Sequence, residues 1–533
     1  MQTATIKSTS RMRGNISRAK ERYIPKGIFG FIIFTIALFF VIGALPSLEL
    51  NESAFYIFTG IGLLALWRYS WGLLHFVRSL YYRHSIFPKW RKRVDARAEE
   101  LMPSKIYILM TLFRIDPAIA SRAINAALEE AIRSKVPVTF VASIVELQDE
   151  RLLKSLLKRF DLPDHVNIKI SRMPGKGKRV GLAHGFKAIS RDNPPGDAVA
   201  VVMDGDTILL PGTLQKSVPF FKAMPGLGAL TTDELSELPH GSKAMREWHD
   251  MRFAQRQLLM SSISLSKRVM TLTGRMSMFR ADIVTDPRFI AHITEDELNH
   301  WRLGRFKFLT GDDKSSLYWV MKQGYQQIYL PDVNVLTVED PPSDNFFKAS
   351  TQLMFRWFGN MLRTNARIVK LGFRRMPFFV WWSFVDQRLS MWTTLAGPTF
   401  AILLSIQFGT VVLLYYLVWV AFIRWIMALM LLSARNEISW RYPFLLYYGQ
   451  IYGALMKSWV LFRLDVQSWT RQKTKLDRGL KKSAVRWNVW TSHITHAAAI
   501  LALVCAIGYA TDLFELPHTT IRVLSQNSYA GSL

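Results

Sequence analysis

Apolar positions fall into two textures along this chain. Toward both ends they gather into runs long enough to span a bilayer, about 20 residues, while between them they come as short strips. Residues 27–45 form the first long run and 54–77 the second, which Arg68 and His75 interrupt. From about Lys105 to Thr364 nothing is long enough to cross. There, β-branched or apolar strips at 106–112, 136–145, 166–170 and 198–203 alternate with helix-like stretches at 118–134 and 181–190. That alternation predicts parallel strands joined by crossover helices, an α/β domain large enough to bury its own core.

After Met376 the long runs return at 389–408, 410–433 and 489–510. Residues 443–462 are also long enough, but Tyr447, Tyr448, Gln450 and Lys457 give them the polar and aromatic edge of a helix lying in the interface. If they crossed, the segment 463–486, with eight Lys and Arg against two Asp, would lie outside the cell. The pattern therefore predicts five spans, a cytoplasmic N-terminus and an external C-terminus. It divides the chain into a basic cytoplasmic tail (1–26), two membrane helices (27–80), a cytoplasmic α/β domain (95–365) and interfacial helices with two spans (366–462). A cytoplasmic loop (463–488), a last span (489–511) and an external tail (512–533) complete it.

Charge sharpens this picture. The 68 Lys and Arg against 40 Asp and Glu leave a net charge of +28, which on a soluble chain would suggest nucleic acid. Half the residues are hydrophobic and no basic-aromatic recognition module stands out, so no nucleic-acid partner is expected. Placed along the chain, the charge instead reports topology. The first 26 residues hold seven basic residues and one acid, residues 83–97 are again basic, and the loop between the first two runs has Glu49 and Glu52 but no Lys or Arg. The single Cys505 excludes disulfide scaffolds and Cys-based zinc sites.

The candidate chemistry lies in the central domain. Val201-Val202-Met203-Asp204-Gly205-Asp206 is an apolar strand that ends in two carboxylates separated by glycine. Residues i and i+2 of an extended chain point the same way, so Asp204 and Asp206 can face one hard cation while Gly205 admits a diphosphate; an ordinary strand-to-turn junction is the competing reading. Asp312 and Asp313, in Thr310-Gly311-Asp312-Asp313, are adjacent acids at a loop-to-helix junction, held for proton transfer or as a capping cluster. Arg356-Trp357 pairs a guanidinium suited to phosphate with a ring suited to stacking on sugar. Lys178 and Arg179 precede a helix, where they contact a nucleotide or form a solvated basic loop.

These elements in this order, flanked by long apolar runs, resemble the processive family-2 glycosyltransferases, which include the cellulose, chitin and hyaluronan synthases. Longer runs narrow the likeness. Trp67-Arg68-Tyr69-Ser70, residues 271–280, 300–316 and 468–478 are similar to the mannuronan synthases, the catalytic subunits of bacterial alginate polymerase. The resemblance implies an α/β glycosyltransferase domain of the GT-A type, a Rossmann-like nucleotide-sugar fold, inserted between transmembrane helices of the bacterial inner membrane. It implies GDP-mannuronate as donor, β-1,4-linked polymannuronate as product, and Mg or Mn held by Asp206 with Asp204. Asp313 would be the base, with Asp312 beside it. Asp116, Glu146, Lys178, Arg179 and Asp204 would bind the donor, and Arg356, Trp357, Gly274 and Arg275 the acceptor or phosphate. Trp469, Thr470 and Arg471 would belong to a loop closing over the nucleotide. Leu353 stands where the family's Gln-x-x-Arg-Trp element has Gln, and Gln352 lies one residue early. A separate cyclic-di-GMP-sensing membrane co-polymerase subunit and periplasmic export proteins are the implied partners. A synthase of another β-glycan, or a degenerate membrane adaptor that binds without catalysis, are the alternatives.

An anionic sugar needs cations that a neutral one does not. Arg302, Arg305 and Lys307, together with Arg275, are candidates for pairing with uronate groups, or belong to a basic helix face near anionic lipid. Arg68 and Arg424 fall inside apolar runs, where an unpaired cation costs several kcal/mol. They are candidates for lining an exit channel, with His75 and His493 as additions, although Arg68 is also placed to snorkel.

Overall fold

A computed structural model describes residues 24–46, 52–175, 177–469, 474–475, 479–511 and 513–514. The central domain is built on an eight-stranded mixed sheet of order β3-β2-β1-β4-β7-β6-β10-β5. Its first half is β1 (Ile106–Leu112), β2 (Val138–Ile144), β3 (Val166–Arg172) and β4 (Val199–Asp204), all parallel. β1, β2 and β4 are almost continuously apolar because helices cover both faces of a parallel sheet. On one face α3 (Pro117–Arg133) presents Ala120, Ala123, Ile124, Ala127 and Leu128. On the other, α5 (Lys178–Ser190) presents Leu182, Ala183, Phe186 and Ile189.

The second half is less regular. β7 (Met276–Arg280) runs antiparallel between β4 and β6 (Leu227–Glu237), β10 (Gln326–Val338) runs parallel to β6, and β5 (Thr207–Leu209) closes the edge antiparallel to β10. Between β7 and β10 an antiparallel hairpin, β8 (Glu297–His300) with β9 (Gly304–Lys307), precedes α7 (Asp312–Lys322). The basic stretch around residue 300 is thus a hairpin, and not the helix face considered from sequence. The long α6 (Lys243–Ser264) and α8 (Phe346–Lys370) lie between the sheet and the apolar helices.

Helix α1 (Ile28–Gly43) opens the described chain, followed by α2 (Glu52–Tyr81) and a π-turn at Tyr82–Ile86 leading into α-helix Phe87–Asp95. After the domain come α9 (Phe378–Phe408), α10 (Val411–Leu432), α11 (Tyr442–Leu461) and α12 (Lys482–Ala510). Among the described residues three helices, α9, α10 and α12, are long and apolar enough to cross a membrane. Helix α1, at 16 residues, is apolar but shorter than such a span, and α11 is not among the three.

Domain and helices are joined by buried polar bonds. Arg435, just past α10, bonds Asp233 of β6 at 2.6 Å and the carbonyl of Glu234 at 3.1 Å. The Tyr82 hydroxyl donates to the Tyr329 carbonyl of β10 at 2.7 Å, and the Tyr329 hydroxyl donates to Asp233 at 2.6 Å. A carboxylate as buried as Asp233 survives only with such partners.

Candidate active site

β4 ends at Asp204, and the chain turns immediately into β5. Gly205 is required by space: a Cβ there would lie 2.5 Å from Leu112 Cδ2 and 2.7 Å from Ile115 Cδ1. Its amide bonds the Thr111 carbonyl, which fixes the turn and leaves Asp204 and the buried Asp206 at the end of the sheet. Lys178, at the start of α5, reaches across to Asp204 Oδ1 at 2.6 Å and to Asp312 Oδ2 at 3.3 Å. Gly274 backs this bridge, since a Cβ would come within 2.9 Å of Lys178 Nζ, 3.7 Å of Asp204 and 3.8 Å of Asp312. One half-buried ammonium therefore gathers acids that lie more than a hundred residues apart in sequence.

The electrostatics divide these acids. Burial, then the neighbouring Asp206 and Asp312, push Asp204 up to about 6 despite Lys178. Burial also acts on Asp312, but Lys178 and Arg179 hold it below the usual carboxylate range. Asp313 is raised, by burial first and then by the charge of Asp312. Both acids occupy the first turn of α7, where the exposed amides favour negative charge. Lys314, which donates to the Met270 carbonyl at 2.9 Å, is lowered to about 8 by burial. The arrangement offers an acid held ionised beside one that binds a proton more readily, at the open end of a sheet where such folds place ligands.

The loop carrying the paired acids is fixed by residues that sequence patterns did not single out. Gly311 adopts φ +84°, and Asn360 of α8 fills the space where a Cβ would sit. Asn360 accepts from Thr310 Oγ1 at 2.7 Å and from Arg363 at 2.6 Å. Gln467 accepts from the Leu309 amide at 3.0 Å and donates to the Lys307 carbonyl at 2.9 Å, tying the segment before β11 (Ser468–Trp469) to the same loop. An amide on a helix face or in a loop carries no sequence signal of its own. The one hint was the glycine at Gly311, whose left-handed backbone needs a neighbour to define it.

A model of the glycosyltransferase-like family 2 matches residues 103–360, which contain this whole cluster. Two bacterial relatives span almost the entire chain. One, the glycosyltransferase alg8 of Pseudomonas syringae pv. tomato, is 47% identical over 87% of this chain and 94% of its own. The other, the glycosyltransferase alg8 of Azotobacter vinelandii, is 45% identical over the same shares. This chain belongs to the Alg8 glycosyltransferases. The resemblance read from its motifs is thereby borne out, as is a family-2 α/β glycosyltransferase domain of the GT-A type joined to apolar helices. Among solved structures, the mannosyltransferase PcManGT from Pyrobaculum calidifontis in complex with GDP-Man and Mn2+ is 15% identical over 72% of this chain and 98% of its own, with a TM-score of 0.40.

Within this Alg8 chain the other expected site residues are placed as follows. Asp116 caps α3, accepting from the amides of Ala118 and Ile119, and Glu146 pairs with Arg114 at 2.9 Å before α4 (Leu147–Leu157). Arg179 is buried beneath the site, donating to the carbonyls of Ile293 and Thr310 and to Ser315 Oγ. Arg275, the expected carboxylate reader, is already held by Glu234 at 3.1 Å and Glu339 at 2.5 Å, and these pairs raise it against its burial. Arg302 sits in the hairpin turn and bonds Thr491, Ser492 and the carbonyl of Phe462, docking the hairpin on α12. Arg305 is exposed and pairs with Glu297 across the hairpin. Lys307 ends β9, its carbonyl bonded by Gln467. The substrate-facing role expected of these arginines therefore meets groups that the fold already holds.

Arg356 and Trp357 lie on α8, with the Trp357 ring stacked 5.7 Å from Trp248. Leu353 is buried in the apolar contact with α6 and α11, while Gln352 is only half covered. Thr470 and Arg471 lie outside the described residues, and only the backbone of Trp469 is described, in β11. Arg68 and Arg424 line one open-sided cavity of about 1030 Å³ bordered by α2, α6, α9, α10 and α11, together with His75. Arg68 is paired with Asp386 of α9. His493 is elsewhere, against Arg463 and Trp459.

Proposed function

We propose that the chain is a processive, inverting synthase that adds mannuronate from GDP-mannuronate to β-1,4-linked polymannuronate, the alginate precursor, and passes the product across the bacterial inner membrane. The observation that carries the reading is the half-buried cluster in which Lys178 bridges Asp204 and Asp312 beside a proton-accepting Asp313. The chain's close likeness to alg8 glycosyltransferases supports alginate as the product class.

The chemistry follows from the placement. The Asp313 carboxylate takes the proton of the acceptor 4-hydroxyl while that oxygen bonds to the donor's anomeric carbon. The bond from that carbon to GDP breaks on the opposite face, its electron pair leaving on the diphosphate, so the configuration inverts with no covalent enzyme intermediate. Lys178 is held where its ammonium can meet the diphosphate, and Asp312, kept ionised, secures it there. Among the described residues no three His, Cys, Asp or Glu side chains are grouped to enclose an ion. Two hard carboxylates in a cluster with more acids than cations nonetheless fit Mg or Mn. Asp206 and Asp204 would hold it, and such an ion supplies charge to the departing diphosphate. Arg356 and Trp357 would meet the acceptor, and Trp469, Thr470 and Arg471 would close over the nucleotide.

The catalytic domain is assigned to the cytoplasmic side, with five spans around it, because the basic segments flank it there. A cyclic-di-GMP-sensing co-polymerase subunit would supply regulation, and periplasmic export proteins would receive the chain. Purified protein with this partner, Mg or Mn, and one radiolabelled donor at a time tests the donor. Polymer digestible by a mannuronan lyase is expected from GDP-mannuronate and not from GDP-mannose. Equal incorporation from both would refute the assignment.

A further inference from the structure

The cavity among α2, α6, α9, α10 and α11 has an unusual charge pattern. Among the described residues its wall contains three guanidiniums, those of Arg68, Arg252 and Arg424, and no Asp or Glu. Arg68 is neutralised by Asp386. Arg424 is 6% exposed, its Nε has no hydrogen-bond partner, and its Nη1 meets only the sulfur of Met427. Arg252, on α6, has no hydrogen bond or ion pair among the described residues and rests on two indole rings, 5.0 Å from the centroid of Trp248 and 4.7 Å from that of Trp357. Burial, then the charge of Arg275, bring it down to about 10. Cations left this way cost several kcal/mol unless an anion joins them. A fold that gives Arg275 and Arg435 carboxylate partners has left these two without acids among the described residues.

The rest of the wall suits a sugar chain. Tyr69, Trp71 and Tyr416 line the space with aromatic rings of the kind that pack on pyranose faces, and two fork-shaped guanidiniums match carboxylates. Arg252 also lies close to the chemistry. Trp357, which it covers, is three residues before Asn360 on α8, hence on the same helical face, and Asn360 fixes the loop that carries Asp312 and Asp313. Building on the polymannuronate reading, we propose that Arg252 and Arg424 read the carboxylates of the product chain. Uronate selectivity is then imposed on the polymer in this cavity, and not by Arg275, Arg302 or Arg305. Arg252 selects at the end nearest the catalytic loop, and Arg424 within the helices.

The test uses the intact chain in lipid nanodiscs and two ligands of equal length, oligomannuronate and the same oligomer with its carboxyls reduced to give mannose. Wild type should bind the uronate roughly a hundredfold tighter, about tenfold from each of the two charge-assisted contacts. Arg252→Gln and Arg424→Gln should each erase most of that preference while still binding the neutral oligomer, and Arg252→Lys should restore part of it. Equal affinity of wild type for both oligomers overturns the proposal. So does an Arg252→Gln variant that weakens both alike. An anionic lipid that copurifies, resists displacement by oligomannuronate and is lost in Arg252→Gln also overturns it. The two readings separate cleanly. Discrimination between oligomers without incorporation from GDP-mannuronate supports the cavity and removes the donor assignment, whereas incorporation without discrimination removes the cavity role alone.

Discussion

At Lys178 a single ammonium faces Asp204 and Asp312, and burial would discharge it were those acids not there. Removing it leaves two half-buried carboxylates without the ammonium that bridges them, and a bound diphosphate would lose a counter-charge. Lys178→Met should therefore bind GDP roughly tenfold to a hundredfold more weakly and unfold at a lower temperature. Titration of GDP and a thermal melt check both, and unchanged nucleotide affinity would contradict the role. Asp313 gives a pH prediction. Burial and Asp312 raise its affinity for protons, and only the ionised form can act as base, so activity should be lost as pH falls through a point above the ordinary carboxylate value of about 4. Changing Asp312 to Asn should move that limb to lower pH, which a pH-rate profile measures. Asp204, Asp206, Asp312 and Asp313 were legible in the sequence because acids at the end of an apolar strip or the start of a helix are conspicuous. Asn360, Gln467 and Arg252 were not, since their meaning comes only from what lies opposite them.

The same contrast appears among the elements. β1, β2 and β4 were readable as strands because both their faces are covered and their residues are nearly all apolar. β6 was not, because its buried positions include Thr231, Thr232, Asp233 and Glu234. Its charges are satisfied by Arg275, Arg256 and Arg435, which sit far along the chain. β10 hid for another reason: Pro331 and Asp332 interrupt its pattern where the pairing with β6 shifts register. Arg275 shows the consequence for function. It ties β6 to Glu339, just past β10, so Arg275→Gln leaves the buried Glu234 with Arg256 alone and should destabilise the domain by about 1.5–3 kcal/mol. Thermal unfolding would register this, and transfer from any donor should fall in the same proportion. A loss confined to GDP-mannuronate would instead restore Arg275 as a carboxylate reader.

Over the whole molecule, a net charge of +28 resolves into three uses. Part of it flanks the apolar helices, part is locked into buried pairs that join the sheet to those helices, and two guanidiniums are left facing a cavity. The hydrophobic pattern made the helices after the domain legible. The joints between helices and sheet, Arg435 to Asp233 and Tyr82 to Tyr329, were not, because each connects segments that share no local pattern. Those joints set the cavity against the helix that holds the loop of Asp312 and Asp313, so the candidate site and the cavity are parts of one structure. The central claim is that Asp313 is the base of a mannuronate polymerisation. The most direct measurement compares wild type with Asp313→Asn, each with partner, Mg or Mn and radiolabelled GDP-mannuronate, scoring lyase-digestible polymer beside GDP binding. Loss of polymer by roughly a hundredfold to ten-thousandfold with GDP binding retained is the expected result. Polymer made by Asp313→Asn at the wild-type rate would contradict it.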